Sequence, residues 1–204
     1  MSTDISGNDL RSLETGGYAE AVGQFAATAF ADGPAAAAYG SFGSPIGQLT
    51  VVVTHYGVVA IGFDTEPLET ILNTVAKKIS PAIVDLASAV EPVRRQLDDY
   101  FKRSLQVFTM SIDRSLLTPF QTKVLAAADA IPSGEVRSYG QIAAAAGRPK
   151  GAQATGQALG ANPIPVVIPC HRVVASDGSF RGYAGGLGKK EYLLDLERGA
   201  ATLF

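Results

Sequence analysis

The chain has 204 residues, 47% of them apolar and 18% charged, with one cysteine, two histidines and a formal charge of −2. This is enough apolar material for a buried core, which excludes disorder as the main state; one cysteine excludes an internal disulfide, and Cys170, His55 and His171 fall short of a structural zinc ligand set. No basic stretch leads into an apolar run at the start, and no segment reaches the roughly 20 apolar residues that span a bilayer, so the expectation is a soluble, cytoplasmic protein with no metal and no membrane partner.

Residues 1–38 are rich in Ala and Gly and carry Asp4, Asp9, Glu14, Glu20 and Asp32 against Arg11 alone. They read as an appended, loosely ordered extension with a short helix around Ala19–Ala31. Leu49, Val51 and Val53 alternate with Thr50, Val52 and Thr54, and Val59, Ile61 and Phe63 keep a period of two after the His55-Tyr56-Gly57 turn. The pattern predicts a β-hairpin with one buried face, leaving His55 at the surface. Val93, Leu97, Tyr100 and Phe101 mark the inner face of a helix over Glu91–Lys102, with Pro92 in its first turn. Residues 39–113 therefore read as a small α+β domain.

From Arg114 the chain turns to short helices with explicit start signals. Thr118-Pro119-Phe120-Gln121 is a capping box with Pro at the first helical position, and Phe120, Val124, Ala128 and Ile131 follow as a buried face. Ser138-Tyr139-Gly140-Gln141 repeats the box, Gly147 stops that helix, and Pro149-Lys150-Gly151 leads into another that ends at Asn162-Pro163. Residues 114–204 are thus a mostly helical domain with a helix-turn-helix candidate. The fold class is α+β, a small hairpin or sheet-plus-helix N-terminal domain followed by this helical one.

The second helix of the pair runs through Ala152, Gln153, Ala154, Thr155, Gly156, Gln157, Ala158, Leu159 and Gly160. Few of these side chains can reach the base code of the major groove. Small residues allow either tight helix packing or close approach to a minor groove, where readout is degenerate, and the residues alone leave both open. Charge is segregated: residues 132–204 hold eight bases against five acids, a balance of +3, and the rest of the chain carries −5. A mildly basic C-terminal half is carried by an acidic N-terminal one.

The strongest local signal is Asn162-Pro163-Ile164-Pro165-Val166-Val167-Ile168-Pro169-Cys170-His171-Arg172-Val173-Val174. Three prolines argue against a central strand, and the expectation is a rigid extended segment that delivers Cys170 at its end. A free thiol is about a tenth or less ionised at neutral pH, so ionisation is worth only about tenfold, and the remaining acceleration must come from positioning and leaving-group stabilisation. Adjacent side chains diverge, so a water-bridged Cys170–His171 relay with Glu197 orienting the imidazole is one reading. An inert core cysteine beside a satisfied histidine is the other.

Residues 39 to about 198 resemble the O6-alkylguanine-DNA alkyltransferases, the methylated-DNA–protein-cysteine methyltransferases. The resemblance is carried by Ile168-Pro169-Cys170-His171-Arg172-Val173-Val174, Thr118-Pro119-Phe120-Gln121, Ile131-Pro132-Ser133-Gly134, Ser138-Tyr139-Gly140, Asn162-Pro163, Gly182-Tyr183-Ala184-Gly185-Gly186-Leu187 and Leu193-Leu194-Asp195-Leu196-Glu197. It implies a suicide repair protein that binds double-stranded DNA through the minor groove, flips O6-alkylguanine, or O4-alkylthymine, into a pocket and moves the alkyl group to a cysteine without a cofactor. By position, Cys170 is the acceptor, His171 the water-linked base, Glu197 its partner, Tyr139 a donor to the purine and Asn162 a brace. Ala152, Gln153, Ala154, Thr155, Arg137, Arg148, Lys150 and Arg172 would contact DNA. Tyr183, Ala184, Gly185, Leu159 and Val173 would shape the pocket.

The recognition helix of this family normally supplies an arginine that fills the space of the flipped nucleotide; here Gln153 stands at that place, without the charge or the planar fork. With the overall acidity, this predicts loose DNA binding with a shallow salt dependence. Leu125 replaces a tryptophan found in many relatives. The expected state is a monomer. The alternatives are a protein that recognises alkylated DNA with weak repair or none, and a thiol hydrolase with turnover.

Overall fold

The structure, a computed structural model, describes residues 7–199, with side chains from Ala19 onward. Residues 1–6 and 200–204, the two ends of the expected extension and helical domain, lie outside the described residues. Helix α1 spans Gly7–Ala31, longer than the helix expected at Ala19–Ala31. Alanine gives it high helix propensity, and its last turns are docked. Ala26 and Ala29 are buried, and the Phe30 ring stacks on His55 at 4.7 Å. His55 is exposed as expected, and its Nε2 lies 3.3 Å from the Ala35 carbonyl.

Strands β1 (Ala37–Ser44), β2 (Gly47–Thr54), β3 (Gly57–Phe63) and β4 (Ile83–Asp85) form one sheet in the order β3-β2-β1-β4, antiparallel except where β4 joins β1. The expected hairpin is β2–β3, but it is buried on both faces rather than one. Leu49, Val51, Val53, Val58, Ile61 and Phe63 join the main core, while Val52, Val59 and Ala60 face a second cluster with Ile71 and Val75 of helix α2 (Leu68–Lys78). Val52 pairs with Ala60 and Val53 with Val58, leaving Val59 as the extra residue of a β-bulge. The bulge turns Val59 away from Ile61 and Phe63, with which strict alternation had grouped it.

Helix α3 (Ala87–Phe101) lays Val90, Val93, Leu97, Tyr100 and Phe101 on the sheet. It starts before Glu91, so Pro92 sits inside the helix and not in its first turn.

In the C-terminal half, α4 (Pro119–Asp129) and α5 (Tyr139–Ala145) both begin with the predicted capping boxes, Thr118 with Gln121 and Ser138 with Gln141. Helices α6 (Ala152–Gly160) and α7 (Leu187–Arg198) complete it. Two-residue strands β5 (Arg137–Ser138) and β6 (Val173–Val174) pair in parallel and tie the start of α5 to the segment after Cys170. The main core runs without a break from the sheet through Val124, Ile142, Leu159, Ile168 and Leu193. No helix among the described residues is long and apolar enough to cross a membrane.

Because Ser138 both caps α5 and sets Tyr139 at its first position, Ser138→Ala is expected to cost about 1 kcal/mol of stability in urea unfolding. A loss near zero would mean that β5–β6 pairing alone holds this start.

Candidate active site

The segment before Cys170 is no strand, as its prolines predicted, but it is a compact turn and not the expected extended segment. Ile168 N–H donates to the Ile164 carbonyl at 2.9 Å, and Val166 takes a left-handed φ of 71°. The prolines remove backbone donors, and Asn162 supplies a side chain in their place. Its Oδ1 accepts from Ile164 N–H at 3.0 Å, and its Nδ2 donates to the Ile168 carbonyl at 2.9 Å and to Cys170 Sγ at 3.2 Å. Asn162 is therefore both the clasp of the turn and, among the described residues, the one side chain hydrogen-bonded to the sulfur. Cys170 opens a single 3-10 turn, Cys170–Arg172.

Glu197 gathers the next layer. Its Oε1 accepts from His171 Nε2 at 2.8 Å, Tyr100 Oη at 2.7 Å and Arg172 Nη2 at 2.9 Å; its Oε2 accepts from Arg172 Nε at 2.9 Å and Gly134 N–H at 3.2 Å. Burial alone would raise the Glu197 pKa, but bonds from His171 and Arg172 hold it well below the usual carboxylate range. His171 is fully buried, and burial lowers its pKa against the pull of Glu197; Arg172 and Lys190 push it the same way. Its Nδ1 has no hydrogen-bond partner among the described residues, and its ring stands edge-on to Tyr183 at 6.5 Å. Burial raises the Cys170 thiol, opposed by the Asn162 bond and by Lys190. The site thus stores a neutral thiol beside a neutral imidazole, which suits a base that takes the proton when an electrophile arrives.

Tyr139, Tyr183 and Lys190 are in electrostatic reach of the sulfur. Tyr139 Oη donates to the Arg181 carbonyl at 2.8 Å, and Lys190 Nζ, fully buried, donates to the carbonyls of Val173 at 2.6 Å and Arg181 at 3.3 Å. A cavity of about 630 Å3 opens between Tyr139, the exposed start of α6 at Ala152 and Gln153, the half-buried Gly156, and the Arg181–Ala184 loop.

Several expected contacts face elsewhere. Arg172 is buried and occupied by Glu197 and the Ile131 carbonyl, so it is a structural cation and not a phosphate contact. Thr155 is fully buried on the inner face of α6, at helical spacing with Ala158 and Leu159, so it cannot meet DNA. Leu159 and Val173 lie in the core, and Gly185 is packed against Phe63 and Lys189; none lines the cavity. Arg137 pairs with Glu135 at 2.8 Å, and Arg148 lies 5.0 Å above the Phe120 ring. Arg148 and Lys150 remain exposed, Ala152 and Gln153 also, and Ala154 is half-buried.

Lys190 and Tyr100 were missed. Lys190 is legible from its spacing: with Leu193, Leu194 and Glu197 it completes an i, i+3, i+4, i+7 face of α7. Tyr100 was read as a core residue, and nothing in its neighbourhood signals that its hydroxyl meets a carboxylate 97 positions away.

Residues 119–199 match the model of the 6-O-methylguanine DNA methyltransferase DNA-binding domain. A methylated-DNA–protein-cysteine methyltransferase of Mycolicibacterium paratuberculosis is 39% identical over 167 residues, 78% of this chain and 92% of the relative. The chain belongs to this family. A Salmonella typhimurium member is 50% identical over 99 residues, but that match spans only 58% of the relative's length. Among solved structures, Mycobacterium tuberculosis OGT in complex with DNA superposes with a TM-score of 0.69 at 36% identity, covering 80% of this chain and 94% of that one. The family fold is therefore shared over most of the chain.

Because the native His171 pKa is depressed, the unfolded chain binds its proton first. Stability is complete above the ordinary imidazole value near 6.5 and falls below it by up to about 1.4 kcal/mol per pH unit. Urea unfolding at roughly pH 7.5 and 5.5 is expected to show this loss, and His171→Gln to flatten it; equal slopes in the two proteins would contradict a histidine kept neutral. The contribution of Glu197 has the same sign but is lost only as the pH falls below the ordinary carboxylate range.

Proposed function

We propose that this protein repairs DNA by irreversible, stoichiometric transfer of the alkyl group of O6-alkylguanine to Cys170, acting from the minor groove on a base turned out of the duplex into the cavity beside α6. The observation that carries the reading is the sulfur held by Asn162 at 3.2 Å, next to a buried His171–Glu197 pair and close to a cavity bounded by the exposed start of the second helix-turn-helix helix. O4-alkylthymine presents the same kind of carbon–oxygen bond and is a second substrate of the reading.

His171, through a water, takes the Cys170 proton; the thiolate attacks the alkyl carbon, a sulfur–carbon bond forms, the carbon–oxygen bond breaks and its electron pair leaves on the purine. An aryl ether is a poor electrophile, so the charge developing on the base needs a donor. Tyr139 supplies it by exchanging its 2.8 Å bond to the Arg181 carbonyl for one to the purine. The Lys190 ammonium, held by two carbonyls, stabilises the thiolate while it exists. The thioether has no easy hydrolytic route, so each molecule, acting as a monomer in the cytoplasm without cofactor or metal, works once.

Intact-mass measurement after incubation with duplex DNA bearing O6-methylguanine is expected to show the gain of one methyl group on Cys170, stopping at one equivalent and absent in Cys170→Ala. Binding without mass gain would favour a lesion-recognition protein, and product beyond one equivalent a hydrolase.

Gln153 is exposed on the cavity wall, where it can fill the space of the flipped nucleotide without a charge. Gln153→Arg is expected to speed single-turnover repair of paired duplex by about tenfold and of single-stranded substrate much less. Equal rates for the two proteins on both substrates would show that another side chain plugs the helix.

A further inference from the structure

Helix α3 belongs to the sheet half of the molecule, yet it sends one polar atom into the relay. Tyr100 is buried, 3% exposed, and its hydroxyl donates to Glu197 Oε1 at 2.7 Å, the shortest of the five bonds to that carboxylate. Oε1 also accepts from His171 and from Arg172 Nη2, so three donors share one oxygen while Oε2 has two. A carboxylate oxygen has about two lone-pair sites, and every added donor draws charge away from the others. We propose that Tyr100 is a positioning residue for the alkyl transfer: from α3 it holds the same Glu197 oxygen that accepts the His171 hydrogen bond and so limits how strongly the carboxylate can favour an imidazolium.

The inference deepens the repair reading and rests on it. The groups around the pair are fixed. From the 3-10 turn come Cys170 and Arg172, from α7 Lys190 and Tyr192, from the Arg181–Ala184 loop Tyr183, and from α3 Tyr100 itself. A cavity of about 70 Å3 on the far side brings Arg103 and Ser133 near Tyr100 and Glu197. Arg172 is already bound at both Nε and Nη2 to this carboxylate and cannot replace a lost hydroxyl with a new bond of the same kind. Burial and the neighbouring Glu197 keep the phenol protonated, so it acts as a fixed donor at every working pH. Removing it concentrates the charge of Oε1 on His171, and the imidazole then holds a proton at higher pH, where it can no longer accept one from Cys170.

The test is Tyr100→Phe in the full chain, which keeps the ring and deletes the donor. The single-turnover rate of methyl transfer to Cys170 from O6-methylguanine duplex is followed from about pH 5.5 to 9. The expected result is an acid limb whose half-point moves up by about half a pH unit or more, roughly a threefold gain in imidazole basicity, with the plateau rate within about threefold of the parent. Coincident acid limbs, or an equal fall at every pH, would overturn the proposal. Titration of the His171 ring by NMR needs no substrate: an upward move in Tyr100→Phe is expected, and an unchanged curve overturns the assignment. If the parent protein transfers no methyl group, the repair reading fails, while the ring titration still decides whether Tyr100 governs the pair.

Discussion

A buried carboxylate with five donor atoms from α3, the 3-10 turn and the segment after α4 sets the terms for everything near it. Glu197 from α7 binds His171 and Arg172 of the 3-10 turn, Tyr100 of α3 and the Gly134 amide after α4. Desolvating a carboxylate costs several kcal/mol, recovered here only because the geometry satisfies both oxygens and a guanidinium meets them side by side. The arrangement fixes the imidazole tautomer and orientation. It also explains why the arginine next to the histidine is turned inward: a surface arginine could not balance this charge.

The second constraint is the Asn162 turn. Prolines at 163, 165 and 169 deprive the segment of ladder donors, and one amide side chain closes it by bonding Ile164, Ile168 and the sulfur together. Since Asn162 lies two residues beyond the end of α6, the helix that bears Gln153 and the sulfur are set by one short rigid link. The link leaves the thiol little freedom relative to the helix.

Much of this was legible in the residues. The two capping boxes, the hairpin and the helix-turn-helix follow from local rules, whereas the Cys170, His171 and Glu197 set was one of two readings of the residues and was singled out by the family resemblance. What failed did so for definite reasons. The bulge at Val59 breaks a period of two that the sequence spells without interruption, and strands of two residues carry no period at all. Arg172 and Thr155 were given to DNA by the family resemblance, whereas burial depends on what packs opposite. Lys190 could have been found on the inward face of α7. The hydroxyl of Tyr100 could not, because a partner 97 positions away leaves no local mark.

The central claim is that Glu197 and Arg172 act as one buried unit on which the site is built. A double-mutant cycle of Glu197→Gln, Arg172→Met and the pair, read by urea unfolding, measures this directly. The account predicts single losses of about 3–5 kcal/mol and a double variant far less damaged than their sum, with a coupling of at least about 2 kcal/mol. Losses that add to within about 0.5 kcal/mol would contradict it.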